Sequence, residues 1–252
     1  TLDGEPYALS NGAYGMRYFY DENNNKTELR YLDENGLAAN NTSGYAIIFR
    51  EYDEDNHIVK ESYHDADKNL LALSSGQAYV TYEYDEAGNR SSVSYYGIDD
   101  EPVLYNNTYW RVEYTYDENK KNIHEVYYGL DGEPALLSDG SCGYDRKYDE
   151  LGNVIELTYL GTDLNPTLNT SGYATSKRVF NDKKQVIHEE YYGTDGSLIA
   201  LAAGQMAVDR EFDDAGNETV TTYLGEDMNP VIIASGYARL VRVFNDKKQI
   251  VR

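Results

Sequence analysis

The chain has 252 residues, and its 22 basic against 44 acidic side chains give a formal net charge of -22 at pH 7. That balance argues against nucleic acid as a partner and against adhesion to anionic lipid, because both need clustered Lys and Arg. The 27 tyrosines and regularly placed β-branched residues are not a disordered composition, so the charge is expected to cover the outside of a folded array.

The chain copies itself every 32 residues without insertion or deletion: tyrosine falls at Tyr31, Tyr63, Tyr95, Tyr127, Tyr159, Tyr191 and Tyr223. An aromatic followed by Asp or Asn keeps the same period at Tyr20, Tyr52, Tyr84, Tyr116, Tyr148, Phe180, Phe212 and Phe244. Fixed-period self-similarity is the mark of a repeat architecture. The expectation is one array of eight units over residues 1–252, the first and last incomplete, since Thr1 aligns with Gly129 and Arg252 with Val220. An array cut inside a repeat is expected to be a piece of a larger protein.

The unit from Tyr127 to Thr158 shows the elements in order. Its first segment, Gly129 to Gly140, reads Gly-x-Asp-Gly-x-Pro and then an apolar run. Proline recurs there at Pro6, Pro102, Pro134, Pro166 and Pro230, and cannot donate to a central ladder, so a corner or edge segment is expected. The runs Ala135-Leu136-Leu137 and Val231-Ile232-Ile233 suit either a short strand or one helical turn. Cys142, Tyr144, Arg146 and Tyr148 then alternate along one strand, and Ile155, Leu157 and Tyr159 along a second. Between them, Asp149 to Asn153 supplies turn residues, with Gly and Asn available for positive φ. A four-residue loop, Glu150 to Asn153, would pair Tyr148 with Ile155, Arg146 with Leu157 and Tyr144 with Tyr159. A three-residue loop would set Tyr148 against Val154 and flip the second strand. The first arrangement gathers the larger apolar side chains on one face and is the expected one.

A period of 64 lies over the first. Turns with Gly88-Asn89, Gly152-Asn153 and Gly216-Asn217 alternate with turns carrying Asn56-His57, Lys120-Lys121, Lys184-Gln185 and Lys248-Gln249. The second strand alternates in step, with Leu29, Val93, Leu157 and Thr221 in one set and Glu61, Glu125 and Glu189 in the other. In the expected register Arg50 faces Glu61 and Arg178 faces Glu189. Neighbouring repeats therefore occupy two environments, as when two hairpins complete one turn of a spiral or pack on opposite sides of a sheet.

The turn sequences Tyr84-Asp85-Glu86-Ala87-Gly88-Asn89, Tyr148-Asp149-Glu150-Leu151-Gly152-Asn153-Val154 and Phe212-Asp213-Asp214-Ala215-Gly216-Asn217 resemble the Rhs or YD repeat. Its hallmark is Tyr-Asp-x-x-Gly followed by a polar and then an aliphatic residue. The resemblance implies large secreted or surface bacterial proteins whose hairpins coil into a long β-sheet spiral, sometimes a shell around a toxin. The Tyr-Tyr-Gly and Asp-Gly pieces are also similar to the aromatic cell-wall- and glucan-binding repeats, which lean on tryptophan; this chain has only Trp110.

The residues offer some chemistry. Tyrosine ladders such as Tyr127, Tyr159 and Tyr191 suit stacking on sugar rings, but packing between successive repeats is the weightier reading. Tyr96, Tyr128 and Tyr192 lie next to the invariant tyrosine, point to the opposite face and are replaced by Leu or His in other copies. They are the ligand-binding candidates, together with Trp110. An acidic row at the second turn position, Glu22, Glu54, Glu86, Glu118, Glu150, Asp182, Asp214 and Asp246, invites calcium. No copy has EF-hand or calcium β-helix spacing, and a turn-forming Asp bonding its own backbone is favoured. The Arg–Glu pairs read as cross-strand ion pairs. His57, His64, His124 and His188 are too dispersed for a metal cluster, and Cys142 sits where Ala46, Ala78, Ala174 and Ala238 stand in other copies, so it reads as a small buried residue. Nucleophile elbow, phosphate loop and HExxH are all missing from the sequence.

The expected fold is all-β: tandem 32-residue β-hairpin repeats forming a solenoid or spiral sheet, with an eight-bladed propeller as the alternative. The expected function is a non-enzymatic structural scaffold of a secreted or surface bacterial protein, extracellular or at the cell surface. A carbohydrate-binding module is the alternative. No catalytic residue, metal or cofactor is expected. The partner would be a protein or a glycan, with no nucleic acid and no membrane insertion; the most apolar stretch, 198–208, is too short to span a bilayer, and the lone Cys142 permits no internal disulfide.

Overall fold

The alternation read from each repeat becomes a pair of antiparallel strands in a computed structural model that describes residues 8–252. The described residues form no helix. They divide into two compact units: residues up to Lys120 with Val126–Ala135, and Lys121–Glu125 with Leu136–Arg252.

The first unit holds β1 (Gly15–Tyr20), β2 (Lys26–Leu32), β3 (Ile47–Tyr52), β4 (Ile58–His64), β5 (Tyr79–Tyr84), β6 (Arg90–Tyr96) and β7 (Arg111–Tyr116). Strand β8 (Asn122–Tyr128) is divided between the units. The second unit holds β9 (Gly143–Tyr148), β10 (Val154–Leu160), β11 (Thr175–Phe180), β12 (Val186–Tyr192), β13 (Ala207–Phe212), β14 (Glu218–Leu224) and β15 (Arg239–Val241). From β1 to β7 and from β9 to β15, each strand pairs antiparallel with the next in sequence. The ladders that join one repeat to the next, such as β2–β3 and β10–β11, continue the same sheet. Separate blades would interrupt them, so the propeller alternative does not hold.

The hairpin register departs from expectation in one respect. Arg146 pairs with Leu157 and Tyr144 with Tyr159, but Tyr148 pairs with Val154 and Ile155 has no partner. Both loop geometries are used in succession. The loop itself has three residues: the Asp149 N–H donates to the Asn153 carbonyl at 3.0 Å and the Gly152 N–H to the Asp149 carbonyl at 3.0 Å, with Gly152 at φ 81°. This is a type I turn closed by a left-handed residue. A β-bulge at Ile155 then shifts the strand by one and restores the register in which the large side chains share a face. The same shift recurs in every complete hairpin with a described ladder.

The proline segment is neither a helical turn nor a full strand. Tyr128 and Pro134 make a single bridge, flanked by bonds from the Gly129 N–H to the Glu133 carbonyl and from the Ala135 N–H to the Tyr127 carbonyl, both 2.8 Å. The bridge itself exchanges no hydrogen bond, so the N–H that proline lacks is not required there. Pro102, Pro166 and Pro230 occupy the same place, while Pro6 lies outside the described residues. A further three-residue turn, such as Leu137–Ser141, leads into the next hairpin.

These last turns carry the 64-residue period. The N–H of Thr42 donates to the Asn11 carbonyl, Asn106 to Ser75, Thr170 to Asp139 and Ala234 to Ala203, at 2.8–2.9 Å. The bond forms once per two repeats and locks them as a pair.

Candidate functional site

Alternation gives each sheet two faces. On one lies the packed face, where Val80, Val93 and Val112 form a small buried core under Tyr63, Tyr82, Tyr95, Tyr109, Tyr114 and Tyr127. Ring contacts run along it. Tyr45 lies between Tyr31 and Tyr63, with centroids 5.7 and 5.1 Å away. Tyr109 lies between Tyr95 and Tyr127 at 5.9 and 4.7 Å, and Tyr173 between Tyr159 and Tyr191 at 5.6 and 5.0 Å. The bridging tyrosines are themselves 64 residues apart. The sequence reading overlooked them, although Tyr45, Tyr109, Tyr173 and Tyr237 follow a period visible in the chain. The ladder tyrosines therefore pack between repeats. Burial and neighbouring hydroxyls push the Tyr31 phenol up to about 12.

The tyrosine of the Tyr-Asp motif has a separate task. The hydroxyls of Tyr52, Tyr84 and Tyr148 donate to the carbonyls of Lys26, Ile58 and Asn122 at 2.9, 2.8 and 2.7 Å, each 26 residues upstream. Each staples one hairpin to the start of the preceding repeat's second strand. The Asp that follows closes its own turn: Asp149 accepts from the Asn153 backbone N–H at 2.8 Å and from its side-chain amide at 2.7 Å. Bonds from Asn89 likewise hold the Asp85 carboxyl below the ordinary carboxylate range. These oxygens are engaged within the turn, and no cluster of three or more His, Cys, Asp or Glu placed to hold a metal ion occurs among the described residues.

On the packed face of the second unit, arginine takes the mid-strand position at Arg146, Arg178 and Arg210, and the equivalent Arg242 directly follows the short β15. The Glu189 carboxylate is held from both sides, by Arg178 Nε at 2.8 Å and Arg210 Nη2 at 3.1 Å, and also accepts the Tyr191 hydroxyl at 3.0 Å. Burial alone would raise the Glu189 pKa; the two guanidinium groups and the hydroxyl outweigh it and hold it below the usual carboxylate range. Arg50 and Glu61 repeat the expected pair in the first unit at 2.7 Å. A shallow groove of about 440 Å³ opens beside Arg178, Glu189, Arg210 and Phe212.

Of the ligand candidates, Tyr96, Tyr128 and Tyr192 alternate onto the opposite face; Tyr96, Trp110 and Tyr128 belong to the first unit and Tyr192 to the second. Tyr96 stacks on Tyr79 with centroids 4.9 Å apart and planes 8° from parallel, and meets Trp110 edge-on at 6.1 Å. The Trp110 N–H of the backbone donates to the Tyr128 carbonyl at 2.9 Å, and the indole Nε1 is buried without a hydrogen-bond partner. Tyr192 lies in the second unit, where its hydroxyl donates to Glu190 and Lys177 Nζ sits 4.4 Å from its ring centroid. The histidines have their own local partners: His57 stacks on Tyr84 at 4.4 Å, while His124 and His188 make the same bond to Asp145 and Asp209. Cys142 is fully buried beside the Gly161 carbonyl, and burial pushes its thiol up.

No protein-family model matches the chain, and no curated protein does. Solved structures do. TcdB2-TccC3 without its hypervariable C-terminal region is similar over 94% of this chain and 10% of its own, at 12% identity and a TM-score of 0.50. TcdB2-TccC3-TEV is similar over 94% and 12%, at 12% identity and a TM-score of 0.41. The Tc holotoxin pore of Photorhabdus luminescens is similar over 93% and 14%, at 11% identity and a TM-score of 0.30. The chain thus spans about a tenth of the length of the TcdB2-TccC3 chain and shares the fold of a hairpin-repeat sheet with it.

Proposed function

We propose that the chain is a non-enzymatic structural scaffold, a run of wall built from hairpin pairs within a large secreted or surface bacterial protein, which presents or encloses another part of that protein or a protein partner. The observation that carries this reading is the hydroxyl staple at a constant offset of 26 residues, from Tyr52 to Lys26, Tyr84 to Ile58 and Tyr148 to Asn122. Groups that could serve chemistry are spent on the neighbouring repeat, copy after copy. The likeness in fold to TcdB2-TccC3 supports the same reading. Deletion tests it. Removing residues 127–190 takes out one whole 64-residue pair and should leave a folded, cooperatively melting chain. Removing only 127–158 brings unlike turns together and should lower the melting temperature. Equal damage from the two deletions would sink the paired-repeat scaffold.

A second reading, glycan binding, rests on the Tyr79–Tyr96–Trp110 cluster. Its test is a glycan array and a cell-wall pull-down with the intact chain, then with Tyr96→Ala and Trp110→Ala. Binding that both substitutions abolish without unfolding the chain would favour it; an array without a hit would end it.

A further inference from the structure

Hairpins in this chain are joined more weakly than they are built. Within the β11–β12 hairpin six residue pairs are in register, whereas the seam between β12 and β13 has three, His188–Asp209, Glu189–Val208 and Glu190–Ala207. His188 stands at the end of that seam. Its Nδ1 lies 2.5 Å from Asp209 Oδ1 on the next hairpin, and its Nε2 lies 3.3 Å from Glu190 Oε1 on its own strand.

Both ring nitrogens thus face carboxylate oxygens. A neutral imidazole has one N–H and one lone pair, so it can satisfy only one of these acceptors and turns its lone pair on the other. Only the imidazolium donates to both. We propose that His188 is a proton-operated clasp between two hairpins, closed as the imidazolium and released on deprotonation, so that the β12–β13 seam loosens as pH rises.

The charges around the ring agree with this assignment. On β12, Glu190 also accepts the Tyr192 hydroxyl; on β11, Lys177 pairs with Glu190 in register and Val179 lies opposite His188 itself; on β13, Asp209 makes the bond and Glu211 follows on the same face. Glu156 on β10 stands opposite Lys177. Burial alone would lower the His188 pKa, and the bonds that the ring donates to the Asp209 and Glu190 carboxylates outweigh it and raise it. A raised value in the folded state means stability that is fully present below the ordinary histidine pKa near ~6.5 and lost as pH climbs through the folded value. The equivalent seam pair between β10 and β11 is Glu156–Lys177 and between β14 and β15 Val220–Val241, neither of which places a histidine on the seam.

The test is nuclear magnetic resonance of the imidazole nitrogens in the full chain, with amide hydrogen exchange of residues 186–192 and 207–212 corrected for the intrinsic pH dependence. Both His188 nitrogens should carry protons at pH 6, and seam protection should fall at least tenfold between pH 6 and pH 9. Asp209→Asn should lower the proton affinity of His188 about tenfold, and His188→Gln should remove the pH dependence of protection while His124→Gln leaves it in place. If His188→Gln does not fold, Glu190→Gln reads the same switch through the second carboxylate. A neutral His188 at pH 6, or seam protection independent of pH, would overturn the proposal.

Discussion

The carbonyl oxygen of Leu104 lies 2.8 Å from where a Cβ on Gly76 would be, and Gly76 itself sits at φ 107°. Two repeats touch there, backbone against backbone, and glycine is the residue that lets them. Gly44 occupies the equivalent place in another copy at φ 91°, with open space around it. Gly44→Ala should therefore cost only the left-handed strain, about 1–2 kcal/mol. Gly76→Ala should cost more, because a main-chain oxygen cannot swing aside. Paired denaturant titrations would show it; equal losses would mean that the contact is not tight.

The opposite change is expected to stabilise. Leu164, Met228 and Lys184 stand in left-handed turn positions at φ 60°, 59° and 59°, where Gly132, Gly196 and Gly152 stand in other copies. Leu164 is exposed, so its removal forfeits little packing. Relief of about 1–2 kcal/mol is partly offset by the greater freedom of glycine in the unfolded chain, about 0.5–1 kcal/mol. Leu164→Gly should gain roughly 0.5–1 kcal/mol, read as a higher denaturant midpoint at unchanged slope. A loss would place that side chain in packing that its exposure does not suggest.

Hydroxyl staples can be removed or added. Tyr84→Phe deletes only the bond to the Ile58 carbonyl and should cost about 1 kcal/mol, since that carbonyl loses its partner. Phe212 is the equivalent aromatic in a copy without the hydroxyl. Phe212→Tyr should recover part of that amount by reaching back across the same 26-residue offset. The comparison is informative only as a pair: a loss at Tyr84 and a gain at Phe212 would establish the staple, and two losses would refute it.

These relationships mark what could be read from the chain and what could not. The repeat length, the two strands, Arg178 opposite Glu189 and the opposite facing of Tyr95 and Tyr96 all follow from period two within period 32, which is a local pattern. The bulge at Ile155 was not legible, because one extra residue leaves the alternation on either side intact. The Tyr52, Tyr84 and Tyr148 staples act over 26 residues, between elements whose separation only the folded sheet sets. Trp110 and Tyr96 stood as sequence candidates separately, and their contact was not legible: Trp110 takes the slot where Ala46 and Ala78 stand in other copies, and its ring meets the Tyr96 of the neighbouring strand edge-on.

That slot gives Trp110 a clean substitution. Trp110→Ala installs the residue that Ala46, Ala78 and Ala174 already are in their own copies, each fully buried. The backbone should be undisturbed, and the loss should comprise the indole's own buried area together with its contact with Tyr96, the latter about 0.5–1.5 kcal/mol. Because Trp110 is the single tryptophan, Tyr96→Leu can be read through its fluorescence, and Leu32, Leu160 and Leu224 show that the position accepts Leu. Near-ultraviolet dichroism from the indole should weaken with Tyr96→Leu; an unchanged band would mean that the ring is ordered by something else.

Glu189 offers the sharpest pH dependence. Its carboxylate is buried between Arg178 and Arg210 and bonded by Tyr191, and its pKa is held below the ordinary value. A depressed carboxylate contributes stability that is fully present above the unfolded value near ~4.3 and lost as pH falls through the folded value. Glu189→Gln keeps the shape but leaves two half-buried guanidinium groups facing a neutral acceptor, at a cost of about 2–3 kcal/mol near neutrality. Melting curves of the two proteins should lie apart at pH 7, remain apart at pH 5 and converge below pH 4 as the wild-type carboxylate takes up its proton. A gap that stayed constant down to pH 3 would show that the charge of Glu189 contributes nothing and that its shape alone matters.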